Sequence, residues 1–454
     1  MLRNKLLIGF ALSLFLVNCT TDNSTEKITI NQEILQDCNT AIQNAVVVDH
    51  VSPPVAGRRY FYASLAAYET LVPYYDNFIS TGEQFKGFKT IDLPDTSKTI
   101  CLDLAAMSAH TYVSGKLVYN QDSINSFKDR ALKIYKDKLS KTAYKNSIEW
   151  GEKVGDHIIA WAKTDSFDQI RGKDEYLATR EPGTWQSTAP DNSAPIEPNW
   201  MKVRTCLVPS NTHIKIDDPE PYSEDKNSRF YKITKEVYDT VQAQQPDNVR
   251  IAKYWDDNPN STTHIGHVTI HKLKISPAGH WLAMFTQVAR KQNYSLMETA
   301  EGYMRASAVM HDAFIVAWDT KYRTNYIRPQ TAIRTLFDST WLSAIQTPPF
   351  PEYPSAHSVV SGSVSTLLET YYGKFSFADS SEFEFGLGTE TFDGFIDAAN
   401  HACISRLYGG IHFTDAIVKG QLQGNDLGRY HLANLKTRIE EKAAVADEVD
   451  ENKN

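Results

Sequence analysis

Apolar residues recur at the 3.6-residue spacing of an amphipathic helix over one long segment after another, and strand-like alternation is scarce. A chain patterned this way buries its apolar stripes by packing helix on helix. The segments run Val55 to Tyr75, Thr99 to Tyr119, Ser123 to Leu139, Thr142 to Lys163, Phe230 to Gln244, His280 to Lys291, Ser295 to Trp318, Ser355 to Tyr372, Phe392 to Leu407 and Thr414 to Ala443. They predict a mostly α protein of two packed helical bundles. Residues 164–225 interrupt the pattern with a stretch rich in Pro, Asp, Ser and Asn that includes Pro182-Gly183-Thr184-Trp185 and Pro195 to Trp200. A loop of that length within a compact chain is a functional or covering segment. It separates an N-terminal helical half, 31–163, from a C-terminal one, 226–441, and an acidic, lysine-rich tail, 442–454, reads as a fraying end.

The start of the chain has another character. Arg3 and Lys5 precede an apolar run from Leu6 to Val17, too short to span a bilayer and fitting an export signal over residues 1–18. Leu16-Val17-Asn18-Cys19 resembles a bacterial lipoprotein processing box, with Asn18 in place of the usual small residue. Cys19 is then the lipid attachment point and residues 19–30 a polar tether, which places the protein in a Gram-negative envelope; plain secretion is the alternative. No later run is apolar over eighteen residues, so no transmembrane span is expected. The 47 Lys and Arg against 55 Asp and Glu, a net charge of -8 with no basic block, argue against a nucleic-acid partner. Cys38, Cys101, Cys206 and Cys403 form no C-x-x-C pair; they are either disulfide partners or buried thiols.

Three segments of the C-terminal half concentrate groups suited to a tetrahedral oxyanion. Lys321 to Pro329 ends a helix and enters a turn; Pro354-Ser355-Ala356-His357 opens one, with Ser355 a good N-cap; Ser405 to His412 follows, with Asp415 just behind. An oxyanion wants fixed positive charge, guanidinium forks and free amides at a helix start. Lys321, Arg328, Arg406 and the Ser355-Ala356 turn could supply these, leaving His357 and His412 to ligate a metal centre, attack phosphorus or move protons.

These segments match K-x6-R-P, P-S-G-H and S-R-x3-G-x-H-x3-D at Lys321, Arg328, Pro329, Pro354, Ser355, His357, Ser405, Arg406, Gly410 and His412. On those residues the chain resembles the vanadium-dependent haloperoxidases, which share their anion site with type 2 phosphatidic acid phosphatases and class A acid phosphatases. The resemblance implies a vanadate cofactor in the C-terminal bundle, held by Lys321, Arg328, Ser355, the amide of Ala356 and Arg406. It makes His412 the metal ligand and His357 the acid/base, with Lys321 polarising hydrogen peroxide. Ala356 replaces the motif glycine but keeps the backbone N–H, which matters only if the turn needs positive φ. Asp415 stands one residue early, either orienting His412 from behind or lying on the surface.

Trp318 and Phe350 stand where haloperoxidases carry aromatic residues along the halide pocket, and the approach Asp312-Ala313-Phe314-Ile315 resembles the same helix. The implied substrates are hydrogen peroxide and a halide, iodide being the easiest to oxidise and bromide a harder case, with hypohalous acid as product. The alternatives are a soluble phosphomonoesterase with His412 as nucleophile and a non-catalytic oxyanion-binding lipoprotein. His264, His267 and His271 suggest a competing metal site at helical spacing, but their β-branched neighbours favour an extended segment. His280 is a packing histidine or part of the pocket wall.

Overall fold

The structure, a computed structural model, describes residues 27–95, 97–171, 176–259, 261–265, 267–271 and 273–439. The expected export signal, Cys19, most of the tether and the charged tail lie outside the described residues. Helices α1 (Ile34–Val48), α2 (Pro53–Leu71), α3 (Leu102–Leu117), α4 (Asp122–Lys138) and α5 (Lys141–Ala162) make the N-terminal bundle, and the short α6 (Phe167–Ile170) opens the connecting segment. The C-terminal bundle comprises α7 (Arg229–Gln242), α8 (Pro246–Tyr254), α9 (Pro277–Lys291), α10 (Leu296–Thr324), α11 (Pro329–Leu336), α12 (Ala356–Tyr372), α13 (Phe395–Tyr408) and α14 (Thr414–Asn434). Strands occur as short pairs: β1 (Lys27–Ile28) runs parallel to β2 (Ile100–Cys101). The antiparallel pairs are β3 (Thr262–Ile265) with β4 (Val268–His271) and β5 (Phe377–Asp379) with β6 (Glu390–Phe392).

Every residue of α2 is buried, as suits a helix enclosed on all sides. It packs on α3 and α5 within its own bundle and on α9 and α10 of the other, so the two bundles share one continuous core. The apolar positions of α1 do recur at three- and four-residue spacing, yet buried Gln36, Asn39 and Gln43 break its stripe. Asn39 donates to Thr286 Oγ1 at 3.1 Å and Gln43 to the Gly279 carbonyl at 2.9 Å, so α9 satisfies their polar groups. That explains a helix without a clean sequence signal. The last segment differs from expectation: α14 stops at Asn434, and the chain beyond it runs extended beside Phe78, with Ile79 N–H bonded to the Thr437 carbonyl at 2.8 Å.

Two features set the site's position. Gly420, Gly424 and Gly428 line the face of α14 against α12, where a Cβ would come within 2.8 Å of Ser355 O, 2.2 Å of Val359 O and 2.6 Å of Ser363 O. Glycine therefore permits the backbone approach that seats the start of α12, and the Ser355 N–H reaches the Ala416 carbonyl at 3.0 Å. The long connecting segment covers the end of α10: Trp185 N–H bonds Asn325 O at 2.8 Å, and Ile327 N–H bonds Gly183 O at 3.0 Å. Ile196 O accepts from Trp318 Nε1 at 3.3 Å and from the Tyr322 hydroxyl at 2.6 Å. The four described cysteines are buried free thiols, and no helix among the described residues is long and apolar enough to cross a membrane.

Candidate active site

Helix ends deliver the three segments. A capping box of Ser295 and Glu298 starts α10, whose last turn carries Lys321, and Asn325 stops the helix in the left-handed region at φ 46°. Arg328 then caps α11, with Pro329 in its first turn. Ser355 caps α12 and accepts from the Ser358 N–H at 3.3 Å, so the first N–H groups of that helix have no partner within it. Ala356 is its first helical residue and needs no positive φ, which removes the objection to alanine there. Arg406 lies in the last turn of α13, and Gly410, at φ 72°, makes the left-handed turn that places His412 before α14.

Of these residues Ala356, His357, Arg406 and His412 line a cavity, together with Asp256, Asp257 and the apolar Phe314, Trp318, Phe350 and Pro348. His412 Nδ1 stands 2.8 Å from Glu352 Oε1. Where Glu352 is ionised its carboxylate can only accept, so Nδ1 then carries the proton and Nε2 presents its lone pair inward. Arg328 Nη1 is 3.2 Å from that Nε2 and also donates to the Ile411 carbonyl at 2.9 Å, while its Nε donates to Phe350 O at 2.9 Å. Arg328 Nη2 is buried without a partner. Burial, then the charges of Arg328, Lys321 and Arg406, hold the His412 pKa well below the usual histidine range, which keeps the imidazole neutral as a metal ligand must be.

Arg406 donates from Nε to Ser405 Oγ at 2.9 Å and from Nη2 to the Trp255 carbonyl. His357 Nε2 lies 3.4 Å from Asp257 Oδ2, and burial, then Arg406 and His280, push its pKa well down. Trp318 and Phe350 form the aromatic wall, their ring centroids 5.0 Å apart. Lys321, expected to polarise peroxide, is not among the residues lining the cavity. Its Nζ donates to the carbonyls of Pro351 and Glu352, each at 2.9 Å, and of Pro354 at 2.5 Å. With all three protons on carbonyls, Lys321 braces the loop carrying Glu352 and Ser355 and lends positive potential from behind Phe350, 5.0 Å from its ring centre.

Asp415 does not orient His412. It forms an ion pair with the exposed Arg229, Oδ1 to Nη2 at 2.6 Å, because the turn after Gly410 points the first residues of α14 toward α7. Glu352 fills the role instead, its Oε1 accepting from both His412 and the Phe413 N–H at 3.0 Å. A lone acid within Pro351-Glu352-Tyr353-Pro354, in an otherwise apolar run, was the available signal. Asp256 and Asp257 lie far from the motifs in sequence and no spacing points to them, whereas Phe314 belongs to the Asp312 to Ile315 approach already singled out. The His264, His267 and His271 segment is the β3–β4 hairpin and not a helix, as its β-branched composition predicts.

Burial raises the Glu352 pKa from 4.5 to about 7 despite Arg328 and Lys321. Below about pH 4.5 the carboxyl is protonated in both folded and unfolded chains, so that stability is intact; it is lost as pH rises through 7 and the folded chain must ionise the group. The difference amounts to about 3 kcal/mol. Glu352→Gln carries no such charge, so its stability relative to the wild type, by urea unfolding without vanadate, should improve by up to about that amount from pH 5 to pH 8. A difference constant across that range would refute the assignment.

The fold and site together define a helical-bundle protein built to hold an oxyanion against a neutral histidine. A family model described as the VCPO second helical-bundle domain matches residues 302–441. The structure is similar to a bacterial vanadium-dependent iodoperoxidase, with 38% identity, a TM-score of 0.86, and coverage of 92% of this chain and 100% of that one. It also shares its fold with a bacterial vanadium-dependent chloroperoxidase in the holo form, at 16% identity and a TM-score of 0.69, covering 89% of this chain and 97% of that one. No curated protein matches the sequence. The chain belongs to the vanadium-dependent haloperoxidase family.

Proposed function

We propose that this protein is a vanadate-dependent haloperoxidase that uses hydrogen peroxide to oxidise halide, iodide most readily, to hypohalous acid. The observation that carries the reading is His412: its Nδ1 proton is fixed on Glu352 and its Nε2 points into a cluster of buried cations. The residues fit vanadate on their own chemistry. Arg328 and Arg406 bring fixed positive charge to the site, and the unpartnered Arg328 Nη2 is a donor that an oxyanion would satisfy.

Bound vanadate supplies a Lewis-acid centre that activates peroxide toward halide with no change of metal oxidation state. His412 Nε2 would give that centre its protein ligand, and Arg328, Arg406 and the free amides at the start of α12 would hold its oxygens. The Ser355 hydroxyl already accepts from the Ser358 hydroxyl at 2.8 Å, so its own proton is left to donate. His357, neutral by burial, takes a proton from the entering peroxide and returns one to the departing water. Trp318, Phe350 and Phe314 keep water from the opposite wall, where a large, weakly hydrated halide loses little on entry. Apo protein given orthovanadate should form triiodide from iodide and peroxide; hydrolysis of p-nitrophenyl phosphate without iodide oxidation would make the protein a phosphomonoesterase instead.

The export reading rests on the Leu6 to Val17 run and the polar stretch after Cys19. Mass spectrometry of the mature N-terminus should find a lipid-modified Cys19; an unmodified N-terminus downstream of it would mean simple secretion.

A further inference from the structure

Asp257 of the cavity wall meets two buried side chains, His280 and Glu382, that the proposed chemistry does not use. His280, in the first turn of α9, has Nδ1 at 3.1 and 3.2 Å from the two Asp257 oxygens and 4.0 Å from Glu382 Oε1. One ligand atom from each of the three residues lies within 4.8 Å of the others, and all three residues are buried. We propose that Asp257, His280 and Glu382 bind one divalent cation of the zinc or manganese class, at a site that meets the oxyanion cavity only at Asp257.

Glu382 Oε1 is the independent sign of a ligand. Its side chain is 5% exposed, and the atom has no hydrogen-bond partner. A protonated His280 would serve both Asp257 and Asp379 yet reach Glu382 only at 4.0 Å, too far to hydrogen-bond. A cation on Nδ1 instead takes an oxygen from both Asp257 and Glu382. Ligands on a tetrahedral zinc at about 2.0–2.2 Å stand roughly 3.4 Å apart, and the observed separations bracket that value.

The outer partner is also in place. His280 Nε2 is 2.8 Å from Asp379 Oδ2, so its proton goes to a carboxylate while Nδ1 faces the other two acids. Asp379 is itself fixed by the Tyr254 hydroxyl at 2.7 Å, the Ser381 N–H at 2.9 Å and Gln287 Nε2 at 3.2 Å. One imidazole with two carboxylates suits zinc or manganese better than calcium, which takes oxygen ligands alone. Asp257 Oδ2 also lies 3.4 Å from His357 Nε2, so the cation would steady the carboxylate beside the proton-transfer histidine.

Calorimetric titration of the chelator-treated full chain with zinc chloride, at micromolar orthovanadate to fill the cradle, tests the site. One equivalent should bind and raise the unfolding temperature. Glu382→Gln should lower the affinity more than about tenfold and abolish the thermal shift, and Asp379→Asn should cost about 10–100-fold. His267→Ala, on the exposed hairpin, should bind as the wild type does. No zinc bound by the wild type, undiminished binding in Glu382→Gln, or binding lost only in His267→Ala would each overturn the site. Iodide oxidation is not part of the readout, so failure of the haloperoxidase reading and failure of this one are distinguishable.

Discussion

Replacing His412 by alanine is expected to abolish vanadate-dependent iodide oxidation and to weaken vanadate binding by more than about a hundredfold, since loss of outer partners alone costs metal sites about 10–100-fold. Nε2 is the neutral lone pair directed at the cation cluster, held there by the 2.8 Å bond from Nδ1 to Glu352. Arg328, Arg406 and the α12 amides would still attract the anion, so residual weak binding is part of the expectation. Calorimetry with orthovanadate separates the two effects. Unchanged affinity with unchanged turnover would assign the metal ligand elsewhere. Asp415→Asn is the control, because Asp415 pairs with Arg229 and touches neither His412 nor the cavity lining.

What the sequence made legible follows from how each group acts. Residues whose chemistry and local spacing coincide could be read directly: Lys321, Arg328, Ser355, Arg406 and His412 sit at helix ends, and helix ends carry capping residues, prolines and glycines. Trp318 lies one turn before Lys321 on α10 and so shares its approach to the pocket. Glu352 was missed because its partner is sixty residues away and only the turn at Gly410 brings His412 back to it. Nearness in sequence leaves Asp415 either behind His412 or on the surface, and Arg229 from α7 takes it to the surface. Lys321 was found while its contacts were not, since its acceptors are backbone carbonyls of residues 351–354 and carbonyls leave no mark in sequence. The same limit hid α1, where buried Asn39 and Gln43 depend on α9 for partners.

His357→Ala should retain most vanadate affinity and lose about a hundredfold to ten-thousandfold in iodide turnover, the usual cost of removing a general acid or base. The side chain reaches the cavity from the first turn of α12, where burial, then Arg406 and His280, disfavour an imidazolium. Its Nε2 has no hydrogen-bond partner, as a group kept for an incoming proton should. Asp257, 3.4 Å away, opposes that effect but is also engaged by His280, so its pull on His357 is shared. The histidine is thus a neutral base when peroxide arrives. Vanadate affinity measured beside turnover decides the role. A variant that binds vanadate and oxidises iodide at near the wild-type rate would remove His357 from the mechanism, and one that no longer binds vanadate would make it part of the cradle.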